Sequence, residues 1–579
     1  MQPSNAPLQS LVLSAVLLSL TLICNGSASP TSGPAHPAES PWTGWSGNTL
    51  NNRWASTNHH ISSRNIASAR LHCKLDFPFG VSATPATVSS TGMTYFPTWN
   101  GSYIALDYTS CRIKWAINVT QIVHDFAVPS PEQAIMLHPA SRTSAEIDVD
   151  NNVLYFGTQT HALLVAADLD TGRILAVKQL HTHPLAVLTT SGTRVGDTIY
   201  TGVSSMEETA GWILPLSDHP YACCSFVGAA LAVRFTRQTS KFSIVWTVPT
   251  IPKSRTTTTG TPTNNPTDRW TGAGIWGSQP PIDRTRSQVF FATGNLYTVP
   301  TAYLPCTVAS ANQTAEENTC LPPDIWQETV LAIDMRSGRV NWARRLYRLD
   351  AYVGLCDAVP PNTTACPQAN AVDYDFGMAP TLVPVRGLLV VGQKSGVLFG
   401  LDAATGATRW STSVGPGTAA GGLSWGIAAD HTHVYFTSIN LFNAPYTPPI
   451  SNAAVISSAA YGAAALVDGR VVWERAVRPG MASRCFPTVV GDVVLTGRHN
   501  RNTTAAPDYD VHDPAGLVAL DRATGRELLD FKLGTFFQGG ISVAGRFVFF
   551  GTGYKVRGTG FQTYNGSFYV LAVDGEGAR

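Results

Sequence analysis

Two charged side chains, Asp375 and Lys394, flank one short apolar strand in the middle of the chain. Asp375 precedes the strand, and Lys394 lies in the turn that follows it. Binding and catalytic residues on a β scaffold concentrate in such loops. A carboxylate and an ammonium group there are candidates for proton transfer and charge stabilisation, although an ordinary turn also carries such residues.

Oxygen-bearing side chains end strands elsewhere in the chain. Glu207 and Glu208 follow one apolar run, and Asn295 closes another in Ala-Thr-Gly-Asn. If these residues converge with Asp375, carboxylate and amide oxygens would suit Ca²⁺, a hard cation that prefers oxygen ligands. Taken alone, the Glu207-Glu208 pair is equally typical of a solvated turn.

The elements that position these residues come from an internal repeat. An apolar strand ends in Leu-Asp or a variant of it, a Thr-Gly or similar turn follows, and a last strand closes in Trp or another apolar residue. Eight copies occur, at 104–115, 165–176, 229–246, 331–342, 399–410, 462–473, 518–531 and 570–577. Short strands repeated in this way predict an all-β fold, an eight-bladed β-propeller with four strands per blade.

The two ends of the chain complement each other. The last copy stops at Arg579 without a fourth strand, whereas residues 69–77 form an orphan strand near the other end. We therefore predict that this N-terminal strand completes the eighth blade, which favours a propeller over a β-sandwich array.

Residues 42–579 would form the propeller, after a signal peptide at 1–28 and a disordered linker at 29–41. The apolar run Leu11–Ile23 is shorter than the roughly 20 residues that a transmembrane helix needs. We expect no membrane span and an exported protein, secreted to the extracellular space or periplasmic if the host is bacterial.

Cysteine and sequon usage favours the same compartment. We predict disulfides between Cys306 and Cys320 and between Cys356 and Cys366, which flank insertions. Cys73 and Cys111 are predicted to pair near the closure of the propeller. Cys485 has no evident partner. N-x-S/T sequons, which indicate a glycoprotein in a eukaryotic host, begin at Asn100, Asn118, Asn312, Asn362, Asn502 and Asn565.

Charge and missing motifs exclude several function classes. A formal net charge of +1, with 13% charged residues, provides no electrostatic field for nucleic acid. The sequence has no Cys-x-x-Cys-His for a covalently bound haem and no dinucleotide fingerprint for NAD or FAD.

An ordered set of motifs resembles a known family. These motifs are Trp45-Ser-Gly with Asn51-Asn52-Arg53, Cys223-Cys224, GAGIWGSQPPID…ATGN (272–295), DYDFG (373–377) and GQKSG (392–396). With the repeats, they resemble the pyrroloquinoline quinone (PQQ) dependent alcohol dehydrogenases, and most closely the polyvinyl-alcohol-dehydrogenase-like branch. The resemblance covers nearly the whole chain from about Trp42.

The resemblance implies a role for each candidate. Glu207 and Asn295 would bind the calcium ion that sits on the quinone, with Glu208 as the alternative to Glu207. Asp375 would be the catalytic base beside the metal, and Asp373 is the competing candidate. Lys394 would reach the reacting quinone carbonyl and stabilise its oxyanion.

Aromatic and cationic residues complete the implied cofactor site. Trp276 would stack on the planar quinone, and Trp425 has the same glycine-flanked setting. Arg142 would pair with a cofactor carboxylate. Cys223-Cys224 could form a ring or two separate disulfides, and no stacking role is carried over because Val227 replaces the arginine of the related motif.

The function so predicted is a secreted quinoprotein dehydrogenase with PQQ and Ca²⁺. It would oxidise a small or polymeric alcohol to a carbonyl and pass electrons to an external acceptor such as a cytochrome. The alternative is a non-catalytic secreted propeller that binds carbohydrate or protein.

Overall fold

Eight four-stranded antiparallel blades form one β-propeller in the computed structural model. Two of the sheets carry additional short strands, Ala186–Val187 in one and Trp54–Ala55 with Met481–Ala482 in the other. The structure describes residues 39–256, 268–303, 321–357, 366, 372–419, 421–440, 442–479, 481–500, 514–555 and 564–575. The predicted signal peptide, residues 29–38 of the predicted linker, and Cys306 and Cys320 lie outside these ranges. The eight-bladed prediction is confirmed.

We number the blades in chain order and give the strands of each from the buried inner edge outward. The first four are blade 1 (Ala86–Val88, Met93–Pro97, Ser102–Asp107, Arg112–Asn118), blade 2 (Glu146–Asp148, Val153–Gly157, Leu163–Asp168, Ile174–Gln179), blade 3 (Thr193–Val195, Thr198–Ser205, Ala229–Thr236, Lys241–Pro249) and blade 4 (Ile282–Asp283, Gln288–Ala292, Thr329–Asp334, Val340–Arg345). The others are blade 5 (Thr381–Val383, Leu388–Gly392, Val397–Asp402, Thr408–Ser413), blade 6 (Ala428–Ala429, His433–Ser438, Ala460–Ala465, Val471–Ala476), blade 7 (Thr488–Val490, Val493–Asn500, Ala515–Asp521, Glu527–Leu533) and blade 8 (Ser542–Ala544, Phe547–Gly551, Gly566–Ala572, Arg70–Phe77).

The propeller is closed by its N-terminal strand. Arg70–Phe77 is the outer strand of blade 8 and pairs antiparallel with Gly566–Ala572, for example through Leu75 and Phe568. The predicted closure is therefore confirmed. Since closure joins the first and last blades, it leaves no open end in the ring of sheets.

Neighbouring blades are joined by two parts of the sequence repeat. The Trp246 indole at the end of blade 3 donates a hydrogen bond to the Met335 carbonyl of blade 4 at 3.0 Å. Gly338 in the same turn has a φ of +73°, and a Cβ there would lie 2.8 Å from the Trp246 ring. The Thr-Gly or Ser-Gly turn and the closing Trp therefore form a blade-to-blade contact.

The segment of residues 42–55, which precedes all the blade strands in the chain, runs along the inner strands of the propeller. Its backbone carbonyls accept hydrogen bonds from the inner strands of blades 1, 2, 4, 5, 6 and 7. Arg53 within it is fully buried and donates to the carbonyls of Trp45, Pro487 and Ile541 and to the hydroxyls of Thr84 and Thr488. Burial lowers the pKa of Arg53. This segment ties six blades together from the inside.

Helices are few and lie in the loops that connect strands, within blades as well as between them. The α-helices in the described ranges are Val119–Phe126, Pro131–Met136, Glu207–Leu216 and Lys253–Thr256. Short 3₁₀ turns span Ile66–Ser68, Ser89–Thr91, Thr160–Ala162, Thr301–Tyr303, Gly354–Asp357 and Pro384–Arg386, and a two-stranded sheet joins Thr271–Gly272 to Leu296–Thr298. No helix in this part of the chain combines the length and apolarity needed to cross a membrane.

Candidate active site

Loops of blades 3, 4 and 5 carry the predicted functional residues to one end of the propeller. Glu207 and Glu208 follow the second strand of blade 3, and Asn295 follows the second strand of blade 4. In blade 5, Asp375 precedes the first strand and Lys394 follows the second. The end of a second strand and the start of a first strand lie at the same edge because the two strands are antiparallel.

Asp375 is the centre of a buried cluster. Its Oδ1 accepts a hydrogen bond from the Asn295 backbone N–H at 2.5 Å. Its Oδ2 accepts from the Trp276 indole at 3.1 Å and from the Lys394 ammonium at 3.3 Å. Gly294 allows this approach, since a Cβ there would clash with the Asp375 carboxylate. Four sequence-predicted residues are thus brought together.

Lys394 is held mainly by Asp373, a residue that the sequence analysis treats only as a competing base. The ammonium lies 2.9 and 2.8 Å from the two Asp373 carboxylate oxygens. Burial alone would lower the pKa of Lys394, but the charges of Asp373, Asp375 and Glu208 outweigh burial and raise it. Lys394 therefore stays charged, in contact with the carboxylates of Asp373 and Asp375.

Asn295 is oriented by its own amide hydrogens. Its Nδ2 donates to the carbonyls of Leu296 and Tyr352, both at 3.0 Å. The Oδ1 atom is therefore the part of the amide that can bind a cation. Glu208 is half-buried, and its negative charge acts on the pKa values of Lys394, Asp373 and Tyr297. Glu208 thus contributes directly to the potential of the cluster.

Glu207 is engaged by a different part of the chain. Its carboxylate accepts hydrogen bonds from the Ser225 N–H at 2.8 and 2.9 Å, the Phe226 N–H at 2.7 Å and the Tyr221 hydroxyl at 2.7 Å. Burial would raise the pKa of Glu207, but the hydrogen bonds from His183, Phe226 and Tyr221 and the charge of His183 hold it below its ordinary value. Of the two glutamates that the sequence left open, Glu208 is the one whose carboxylate is not enclosed in this way.

The structure shows how the cysteines pair, both near the site and away from it. Cys223 and Cys224 bond to each other, which excludes the alternative of two separate disulfides. The predicted pairs Cys73–Cys111 and Cys356–Cys366 are confirmed. Cys485 is a buried thiol without a disulfide partner in the described ranges.

Aromatic rings line the axial cavity beside the cluster. Trp276 and Trp425 meet edge to face, with ring centroids 5.2 Å apart. The Arg142 guanidinium lies 4.4 Å from the Trp425 ring centroid, and both residues line a small cavity of about 30 Å³. Gly377 lies against Trp276, since a Cβ there would come within 2.7 Å of the indole. An indole wall and a cation therefore face one space.

Sequence reasoning missed two buried acids around the cluster. Burial raises the pKa of Glu328 well above its ordinary value and that of Asp350 to about 6, and the Asp375 charge adds to both shifts. Glu328 accepts a hydrogen bond from the Gln393 amide at 2.8 Å, next to Lys394. Both residues lie outside the repeat copy at 331–342, in the loops on either side of it, so the repeat gives no signal of their burial.

Comparison with known proteins supports the fold and the resemblance. Residues 326–528 match the PQQ_2 family model, described as outer membrane protein assembly factor BamB. The polyvinylalcohol dehydrogenase of Pseudomonas sp is 25% identical over 402 residues, covering 68% of this chain and 54% of that protein. That of Sphingopyxis sp. (strain 113P3) is 27% identical over 409 residues, covering 69% and 54%. The chain thus spans about half the length of the curated relatives it matches.

Solved structures share the fold. The quinohemoprotein alcohol dehydrogenase from Comamonas testosteroni superposes with a TM-score of 0.62 at 15% identity, covering 93% of this chain and 81% of that one. A europium-containing methanol dehydrogenase gives a TM-score of 0.60 at 17% identity, covering 92% and 98%. The resemblance to the PQQ-dependent alcohol dehydrogenases is confirmed, and the curated relatives named here are polyvinyl alcohol dehydrogenases.

Proposed function

We propose that this chain is a PQQ-dependent dehydrogenase that oxidises an alcohol to its carbonyl compound. The observation that supports this most is the arrangement around Asp375, whose carboxylate meets the Asn295 loop, the Trp276 indole and the Lys394 ammonium. Proton acceptor, cation and aromatic wall are all present within one buried cluster. The similarity to polyvinyl alcohol dehydrogenases adds independent support.

The side chains fit a bound divalent cation. Asp373 and Asp375 contact the Lys394 ammonium and Glu208 adds its charge to it, so three acidic groups act on one ammonium. The Asn295 side chain donates its amide hydrogens to two carbonyls, so its Oδ1 atom is directed away from them. We propose Ca²⁺ as the ion, with Asn295, Asp375 and Glu208 as its ligands and Glu207 as the alternative to Glu208.

The side chains also fit a planar, anionic cofactor. Trp276 provides a flat apolar surface. Gly377 lies against this surface and has no side chain that would cover it. Arg142, stacked on Trp425, provides a positive charge for a carboxylate of PQQ. When bound, PQQ supplies the acceptor for the hydride that leaves the alcohol carbon.

The chemistry of the protein residues is proton transfer and charge stabilisation. Asp375 takes the proton of the alcohol hydroxyl as the carbon–hydrogen bond breaks, which leaves the carbonyl product. Lys394 keeps its positive charge beside Asp373 and Asp375, and it would stabilise negative charge on a cofactor bound next to it. Asp373 holds the Lys394 ammonium in place through both carboxylate oxygens.

Secretion and an external one-electron acceptor, such as a cytochrome, are part of the proposal. The disulfides Cys73–Cys111 and Cys356–Cys366 support an oxidising compartment. Calcium rather than a lanthanide is favoured by Gly377, because in the lanthanide-using relatives this position carries a second Asp. The substrate is a small or polymeric alcohol.

An absorption titration of the purified protein with PQQ and CaCl₂ tests the proposal. We expect PQQ to bind only with calcium, and Asp375→Ala to reduce an artificial electron acceptor with alcohol far more slowly than wild type. Ala substitutions at Glu207 and at Glu208 compare the two candidate ligands. If the wild-type protein does not bind PQQ even with calcium, the proposal of an enzyme is refuted. The alternative, a secreted propeller that binds carbohydrate or protein, then remains.

A further inference from the structure

Asp350 connects two loops of the candidate site. It follows the outer strand of blade 4 and is fully buried. Its backbone carbonyl accepts a hydrogen bond from the Leu296 N–H at 2.9 Å, and its own N–H donates to the Gln327 side-chain oxygen at 3.0 Å. Leu296 directly follows Asn295 in the chain, so the backbone of Asp350 is anchored to the loop that carries Asn295.

The side chain of Asp350 reaches the second loop. Its Oδ2 accepts a hydrogen bond from the Tyr374 N–H at 2.7 Å. This N–H belongs to the peptide group that joins Asp373 to Tyr374, and the next residue is Asp375. Asp350 therefore holds the short piece of backbone from which both carboxylates that contact Lys394 project.

The backbone of this piece, residues 373–375, has an unusual conformation. Asp373 has a φ of +54°, which is uncommon for a non-glycine residue and persists where surrounding contacts hold it. Lys394 supplies some of these contacts, since its backbone N–H donates to the Asp375 carbonyl at 3.1 Å and its ammonium contacts both carboxylates. Asp350 supplies the contact to the peptide group between the two acids.

We propose that Asp350 is a positioning residue, whose carboxylate fixes the peptide group before Tyr374 and so keeps Asp373 and Asp375 together on the Lys394 ammonium. Because its backbone is bound to Leu296, Asp350 also sets where residues 373–375 lie relative to the Asn295 loop. The consequence for alcohol oxidation rests on the proposed function, whereas the effect on the ion pairs does not.

Two substitutions separate the hydrogen bond of Asp350 from its negative charge. Asp350→Leu keeps the branching of the side chain but removes both the charge and the acceptor. Asp350→Asn removes the charge and keeps an oxygen that can accept from the Tyr374 N–H. Both variants lose the same charge, so a difference between them reports the acceptor.

A double-mutant cycle in thermal unfolding, with a chelator present, is the main test. Lys394→Met leaves Asp373 and Asp375 buried without their cation and should lower the melting temperature. We expect this shift to be nearly the same in the Asp350→Asn background and about half as large in Asp350→Leu, because released carboxylates can move out of the buried site.

Two outcomes of the cycle overturn the inference. Equal shifts in the wild-type, Asp350→Asn and Asp350→Leu backgrounds would mean that Asp350 only satisfies a turn. A shift that is reduced equally in both Asp350 variants would assign the effect to charge. If Asp350→Leu does not fold, the smaller Asp350→Ala takes its place. Hydrogen exchange of wild type, followed by mass spectrometry, needs no variant, and rapid exchange of the Tyr374 amide would also overturn the inference.

Turnover with PQQ, CaCl₂ and an alcohol measures the catalytic consequence separately. We expect kcat of Asp350→Leu to be about 10- to 100-fold below that of Asp350→Asn with similar KM, because the base is displaced and the alcohol site is not. Equal kcat values in the two variants would overturn a role in catalysis. If the wild type has no turnover, the proposed function is refuted instead, and the unfolding cycle still decides whether Asp350 positions the two acids.

Discussion

Replacing Lys394 by methionine in the metal-free protein tests the charge balance of the site. The side chains of Lys394, Asp373 and Asp375 are only 10%, 5% and 4% exposed. Methionine keeps most of the volume but leaves two buried carboxylates without their cation, which costs about 3–5 kcal/mol. For a propeller of this size the unfolding entropy is about 1.1 kcal/mol/K, so the melting temperature should fall by about 3–4 °C.

The loss of stability in Lys394→Met should increase as the pH rises. Burial already raises the pKa of Asp373 and the Lys394 charge opposes that rise, so loss of the ammonium raises the pKa of Asp373 further. A group with such a raised pKa stabilises the fold below its unfolded pKa and loses that contribution as the pH rises through the folded pKa. The deficit of Lys394→Met relative to wild type should therefore grow as the pH rises above the ordinary pKa range of a carboxyl group.

Thermal unfolding in the presence of a chelator measures this deficit. The matched control is Lys394→Met combined with Asp373→Asn, which removes the carboxylate that Lys394 contacts most closely and should recover part of the stability. A Lys394→Met protein as stable as wild type at about pH 9, or a deficit that shrinks with rising pH, would refute the ion-pair interpretation.

Three further predictions concern single positions. Asp375→Asn should lower alcohol turnover by a factor of about 10²–10⁴ while the absorption change on PQQ binding remains, and retained turnover would exclude Asp375 as the base. Arg53→Met should destabilise the protein by about 3–5 kcal/mol in thermal unfolding, since five buried acceptors lose their donor. An unchanged melting temperature would contradict the inference that residues 42–55 tie the blades together. Gly338→Ala should cost about 1–3 kcal/mol in denaturant unfolding, because Gly338 has a φ of +73° and its new Cβ would press against the Trp246 ring. Gly196→Ala at an exposed turn is the control, since it adds only the strain of a positive φ.

Much of the fold is encoded locally and could be predicted. The repeat places a Gly in most of its tight turns and a Trp at the end of most blades. Both patterns can be recognised without tertiary information because they reflect turn geometry and apolar alternation. Closure by residues 69–77 also follows, since an unfinished blade at one end needs a strand from the other. The order of the motifs led to Asp375, Lys394, Asn295 and Trp276 before any distance was known.

The roles of Glu207 and Glu208 depended on tertiary structure. Two adjacent glutamates are indistinguishable in the sequence, and only the loop 221–226, packed against the helix, encloses one of them. The Asp373–Lys394 contact and the burial of Glu328 arise in the same way, from side chains of different loops meeting at the axis. The sequence by itself determined the blades and the candidate residues, because these follow from short-range patterns. Which of the two carboxylates the loop 221–226 encloses was decided by long-range packing, because the surroundings of a buried group depend on neighbours that are distant in the chain.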